Sequence, residues 1–232
     1  EKLHKKYDFE EKKTGDTVYY LMHSRKKDGN RIILYFFGGG YCMPGDAMDF
    51  EFGSEMADKT GADVWLVWYP MFPDATAYDI AKSTADVYEE ALKLCPAGDI
   101  SFYGNSSGGA LCFAACIFLQ KYRPALPLPG KIVSHSPSLR VPPTEEEQKI
   151  MDAQDHLDAL IPARLMNLYV SRPDIFRTGS FEEFASPIEH SWKDFPKTLI
   201  LFTNDEVWEK VKSGEYSMFS IEGEAIREEL NT

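Results

Sequence analysis

The sequence predicts an α/β domain: a mostly parallel central sheet flanked by helices, with a helical segment inserted late in the chain. Three observations lead there. Short β-branched and aromatic runs alternate with helical patterns as far as Arg140, the arrangement of parallel strands covered on both faces. Two of those runs end directly in glycine clusters, "GGGYCMPG" at Gly38 to Gly45 and "GNSSGG" at Gly104 to Gly109. From Val141 the pattern changes to a polar and apolar mixture opened by "VPPTEEE", whose prolines and glutamates suit a helix start.

Taken in order, the strand candidates are Thr17 to Met22, Arg31 to Phe37, Val64 to Tyr69, Ile100 to Tyr103, Lys131 to Ser134 and Thr198 to Phe202. Each is a short run rich in Val, Ile, Leu, Tyr, Phe or Trp. The clearest helix is expected from Tyr78 to Cys95, where Ile80, Thr84, Val87, Tyr88, Ala91, Leu92 and Cys95 recur on one stripe. Pro70, Pro73 and Pro96 punctuate its surroundings. A second helix is expected over the small-residue stretch that follows "GNSSGG". Residues 141–193 read as a helical cap inserted into a single domain spanning 1–232.

Composition narrows the function. A chain of 232 residues that is 44% hydrophobic buries a full core. The formal net charge of −12 argues against nucleic acid and against an anionic membrane surface, because neutralising phosphates takes clustered Lys and Arg. No apolar run has the length of a membrane span, and the opening "EKLHKKYDFEEKK" is too polar for a signal peptide. Cys42, Cys95, Cys112 and Cys116 lack paired zinc-site spacing and sit in apolar surroundings, which predicts buried thiols and a reducing, cytoplasmic setting. No metal or organic cofactor is implied.

The glycine clusters carry the chemistry. Gly104, Ser106 and Gly108 form G-x-S-x-G between a strand and a helix, the context in which a serine on a sharp turn is pushed out over the sheet edge. Glycine on either side removes the Cβ that would block so close a turn. A glycine-rich turn that merely packs is the competing account. Against it stands the second cluster, three glycines after the strand ending at Phe37, where a turn needs only one. A serine that attacks a carbonyl needs N–H donors for the developing oxyanion, and that loop is placed to supply them.

With these residues in view, the sequence resembles the α/β-hydrolase superfamily, and within it the hormone-sensitive-lipase-like carboxylesterases. "FFGGGYCMPG" is similar to the HGGG oxyanion motif, "YPMFPDATAYDI" to the YRLAPE-type stretch, and "GNSSGG" to GDSAGG. The resemblance implies that Ser106 is the nucleophile and that the N–H groups of Gly39, Gly40 and Ser107 form the oxyanion hole. "DFPKTLILFTNDEVW" resembles the strand that delivers the triad acid, which falls on Asp205, with Glu206 as the fallback. The implied activity is hydrolysis of short to medium acyl esters through an acyl-enzyme, on a small-molecule substrate, with a homodimer left open.

Two departures matter. The HGGG histidine is Phe37 here, so different loop support is expected. No histidine follows Asp205, although the resemblance calls for serine, acid and histidine in that order. His4 and His23 lie in polar sequence, and His156 and His190 in the cap pattern. His135 stands near a strand end, on the same side as Val133, which favours a packed histidine over a relocated base. Cys42 reads as a small pocket-wall residue. The expectation is therefore a natural segment missing between about Trp208 and Tyr216, or else a ligand-binding protein that has lost its base. An amidase or formamidase on the same scaffold is a further alternative.

Overall fold

In the computed structural model, residues 8–141, 143–154 and 181–201 are described. Seven strands form one sheet: β1 (Glu10–Thr14), β2 (Thr17–Met22), β3 (Ile32–Phe36), β4 (Asp63–Trp68), β5 (Ile100–Asn105), β6 (Lys131–His135) and β7 (Lys197–Leu201). They lie in the order β1-β2-β4-β3-β5-β6-β7. The β1–β2 and β2–β4 pairs are antiparallel, and every pairing from β4 to β7 is parallel. Five described helices accompany it: α1 (Ala47–Thr60), α2 (Ala77–Leu92), α3 (Ser107–Tyr122), α4 (Glu145–Gln154) and the short α5 (Phe181–Ala185).

Each expected strand is present to within two residues at either end, as far as the described residues reach. β1 was not expected. Its sequence "EEKKT" has no apolar member, and it is an exposed edge strand that pairs with β2 through the tight turn at Gly15 and Asp16, Thr14 facing Thr17. A charged edge of this kind discourages pairing with other chains.

The helices start where their caps are. Asp46 accepts from the Met48 N–H while Asp49 accepts from the Asp46 N–H, and α1 ends on Gly61 at φ 71°, a left-handed conformation that glycine adopts without strain. Thr76 and Asp79 exchange the same pair of bonds at the start of α2. Thr144 and Glu147 do so at α4, which is the helix start read from "VPPTEEE". On α2, Ile80, Thr84, Val87, Tyr88 and Ala91 are buried as one stripe; Tyr88 packs edge-on against Phe102 and donates to the Pro127 carbonyl at 2.7 Å.

α3 differs from the others in having no polar face over its first three turns. Every residue from Ser107 to Leu119 is buried. It lies against β5 and β6, with α2 beside it and α5 across it, and Phe113 stacks on Trp192 at 4.6 Å between ring centroids. A helix apolar all round belongs at the centre of a fold. Its position fixes the site, because α3 begins one residue after Ser106.

Candidate active site

β5 runs into the sheet's carboxyl edge and turns abruptly at Ser106, whose φ of 52° and ψ of −122° leave the regions open to ordinary L-residues. The surroundings hold it there. The Ser106 N–H donates to the His135 carbonyl at 2.9 Å, and the Ser106 carbonyl accepts from Ala110 N–H at 3.1 Å and from Ser138 N–H at 3.3 Å. β6 and the first turn of α3 therefore grip the same residue from two sides.

Glycine is required on both sides of this turn. A Cβ on Gly104 would lie 2.1 Å from the Gly108 carbonyl oxygen, and one on Gly108 would lie 2.1 Å from the Phe36 carbonyl oxygen. Neither approach is physically available to a larger residue, because backbone stands on the other side. The G-x-S-x-G spacing is thus the geometric condition for bringing β3, β5 and α3 together at one serine.

The loop after β3 meets that serine directly. A Cβ on Gly38 would stand 3.3 Å from Cβ of Ser106, so the first glycine of the triplet faces the nucleophile candidate. Gly39 has φ 124° and its carbonyl accepts from the N–H groups of Cys42 and Met43; Gly40 and Tyr41 follow with φ of 60° each. This succession of positive φ values bends the loop back over the sheet edge. Ser107 is the first residue of α3, so its N–H has no acceptor within the helix. The structure thereby brings Gly39, Gly40, Ser106 and Ser107 to one edge of the sheet.

Phe37 shows how the loop is supported without a histidine. Its ring is fully buried and stacked on Tyr69 at 4.4 Å, and the Tyr69 hydroxyl donates to the Phe37 carbonyl at 2.7 Å. As the last residue of the strand candidate Val64 to Tyr69, Tyr69 reads as core, and its part in holding this loop is not visible in the sequence. Only its place just after β4 hinted at proximity.

The positions of the cysteines and of the described histidines bear on the remaining readings. Cys42 is exposed, which corrects the expectation of a buried thiol and pocket wall; its neighbour Tyr41 takes the inward place instead. Cys95, Cys112 and Cys116 are buried, and burial raises the pKa of all three thiols. His135 is half-buried and burial lowers its pKa, which favours neutral imidazole. His23 stands near the opposite sheet edge, 3.4 Å from both Glu10 and Asp63. His190 follows the turn Pro187–Glu189. Among the described residues no histidine side chain hydrogen-bonds Ser106; His135 meets it through its backbone carbonyl alone. His4, His156, Asp205, Glu206 and the stretch from Trp208 to Tyr216 lie outside the described residues.

Among the described residues no group of His, Cys, Asp and Glu side chains could hold a metal ion, and no helix is long and apolar enough to cross a membrane. A small cavity of about 10 Å³ lies between α2 and α3, beside Tyr41. A wider depression of about 370 Å³ is lined by Gln120, Leu126, Leu128 and Asp194 at the far end of α3. Gln120 is thirteen helical steps from Ser107, roughly 20 Å along the axis, so that depression is remote from the serine.

Fold, elbow and glycine loop together define the class, and the chain belongs to the alpha/beta hydrolase fold family, whose sequence pattern matches residues 33–214. It is 32% identical over 114 residues to an acetyl-hydrolase from Streptomyces hygroscopicus, covering 48% of this chain and 37% of that protein. It is 23% identical over 145 residues to human hormone-sensitive lipase, covering 60% of this chain and 13% of that protein, in line with the resemblance carried by the motifs. Among solved structures it is similar to EstE5, soaked with p-nitrophenyl butyrate, at a TM-score of 0.72 and 21% identity over 86% of this chain and 66% of that one. The chain therefore spans well under half the length of either curated relative.

Proposed function

We propose that this chain is the core of a serine carboxylesterase acting on short to medium acyl esters. In this reading Ser106 Oγ attacks the ester carbonyl and gives its proton to a histidine held by Asp205, and the oxyanion rests on the N–H groups of Gly39, Gly40 and Ser107. The C–O bond to the alcohol then breaks, the alcohol leaves with that proton, and water hydrolyses the acyl-serine. Residues 141–193 act as a cap over this edge. The observation that carries the proposal is the strained Ser106, gripped by β6 and α3 and faced by Gly38. Strain of about 1–3 kcal/mol at one residue persists only where the surroundings impose it, and such residues cluster at active sites. The acetyl-hydrolase relative supports the ester class.

The test is labelling with a fluorescent alkyl phosphonate. One serine should react, and Ser106→Ala should abolish the signal while thermal unfolding stays cooperative; labelling that survives the change overturns the assignment.

A second reading has its own observation. This sequence holds no histidine after His190, and if the natural protein supplies none beyond it, Ser106 has no base in the expected order. This favours a ligand-binding protein on the hydrolase scaffold, and it predicts no phosphonate labelling at all.

A further inference from the structure

The glycine loop leaves β3 at Phe37 and enters α1 at Asp46, and its two ends are fastened to each other. Tyr35, on the strand that feeds the loop, donates its hydroxyl to Asp49 Oδ1 at 2.5 Å. The other carboxylate oxygen of Asp49 accepts the Asp46 N–H at 2.8 Å. One side chain thus bridges the strand before the loop and the residue that ends it. Packing repeats the link: a Cβ on Gly45 would stand 3.2 Å from the Phe37 ring and 3.1 Å from Asp49 Oδ2, so the last glycine lies against the first side chain.

The bridge itself is held in place. Tyr35 is 3% exposed, and its ring meets those of Phe52 at 5.5 Å and of Tyr103, its register partner on β5, at 5.4 Å. Burial, and after it the Asp49 carboxylate, raise the Tyr35 pKa, so the hydroxyl stays a donor. A carboxylate serves both donors because it accepts at each oxygen. An amide in its place turns an NH2 group toward one of them.

What the bridge holds lies against Ser106. A Cβ on Gly38 would stand 3.3 Å from Cβ of Ser106, and Gly39 and Gly40 follow with φ of 124° and 60°. Glycines lose the most conformational freedom on ordering, so three in succession keep a fixed course only where both ends are fixed. Tyr69 secures the entry through the Phe37 carbonyl, and Asp49 secures the exit.

Resting on the reading of Ser106 as nucleophile, we infer that Asp49 and Tyr35 are positioning residues for the reaction: their bridge fixes the span of the glycine loop and so holds the Gly39 and Gly40 N–H groups at the oxyanion. Such donors accelerate a reaction only if they are already in place when charge develops, so loosening the bridge slows the chemical step and leaves ground-state binding alone. The competing account is a capping box that merely starts α1, since Asp46 and Asp49 also form one. Asp46→Ala separates the two. It removes the oxygen that accepts the Met48 N–H at 2.7 Å and keeps the backbone N–H that Asp49 holds.

The experiment uses the full chain and two readouts. Hydrogen exchange over Gly38 to Gly45, followed by mass spectrometry, should be about tenfold faster in Asp49→Asn and in Tyr35→Phe, the change expected for one hydrogen bond to a carboxylate. The double variant should exchange no faster than the quicker single one, because both break the same bridge. With the fluorescent alkyl phosphonate, the maximal labelling rate of each variant should fall about tenfold while the half-saturating probe concentration stays put. Asp46→Ala should leave both readouts as in the wild type. Loop exchange at the wild-type rate in both variants, an Asp46→Ala effect equal to that of Asp49→Asn, or faster exchange with an unchanged labelling rate overturns the inference. A wild type that takes no label while its loop still responds to Asp49→Asn retires the reading of Ser106 and supports the bridge's hold on the loop.

Discussion

Gly108 and Phe36 meet backbone to backbone: a Cβ added to the glycine would lie 2.1 Å from the Phe36 carbonyl oxygen and 2.4 Å from that of Phe37. This contact sets the distance between α3 and β3, and through it the approach of the glycine loop to Ser106. Because both obstructing atoms are backbone, no rotamer change relieves the clash. Gly108→Ala should therefore cost at least the upper part of the roughly 1–3 kcal/mol range for overpacking, seen as a lower midpoint in urea unfolding. An unchanged midpoint would mean that α3 slides freely on the sheet.

Ser106 sits at positive φ, so stability and reactivity should part company there. Ser106→Gly should raise stability by about 1–2 kcal/mol by relieving the backbone, while abolishing phosphonate labelling. Ser106→Ala should abolish labelling without that gain. Equal stabilities of the two variants would remove strain from the account of this turn.

Tyr69 should matter to the site although it carries no chemistry. Tyr69→Phe keeps the stacking on Phe37 and deletes the hydroxyl that bonds its carbonyl, a loss of about 1 kcal/mol of stability. If the bond also orders the glycine loop, phosphonate labelling should slow severalfold with the number of labelled sites unchanged. A stability loss with no change in labelling rate confines Tyr69 to the core.

Acid should loosen the end of the sheet away from Ser106. Burial pushes the Asp63 carboxyl up, but the Lys27 ammonium at 2.8 Å and the Ser24 N–H at 3.2 Å outweigh it and hold its pKa below the usual value. A depressed carboxylate contributes stability above its unfolded pKa of about 3.9, and that contribution drains away as pH falls through the folded value. Asp63→Asn should thus lower the unfolding temperature at pH 7 and make no difference near pH 2. A cost that persists at pH 2 would assign the effect to packing.

Much of this could be read from the chain beforehand, and the exceptions have physical causes. The strands that form the parallel sheet announce themselves because both of their faces are buried, which leaves apolar runs such as "VWLVW". Ser106 is legible because its conformation is affordable only among glycines at fixed offsets. β1 escaped because an exposed edge strand needs no apolar residue, and only the Gly15–Asp16 turn marked it. Tyr69 escaped because its bond to Phe37 spans 32 positions and depends on which strands become neighbours, which no local pattern encodes. Cys42 was misplaced because its apolar neighbours share a loop in which Tyr41 alone turns inward. Asp205 rests on resemblance and lies outside the described residues.

The all-round burial of α3 carries a cost during synthesis. Phe113 finds its stacking partner only at Trp192, nearly eighty residues later, and at roughly 5–20 residues per second a ribosome takes several seconds to deliver it. For that interval the nascent chain displays a sticky segment, "ALCFAACIFL", with nothing of its own to cover one side. The helix that presents the reactive serine is then a natural target for chaperones, and expression yield should respond to trigger-factor or Hsp70 supply more steeply than the final stability of the protein would suggest.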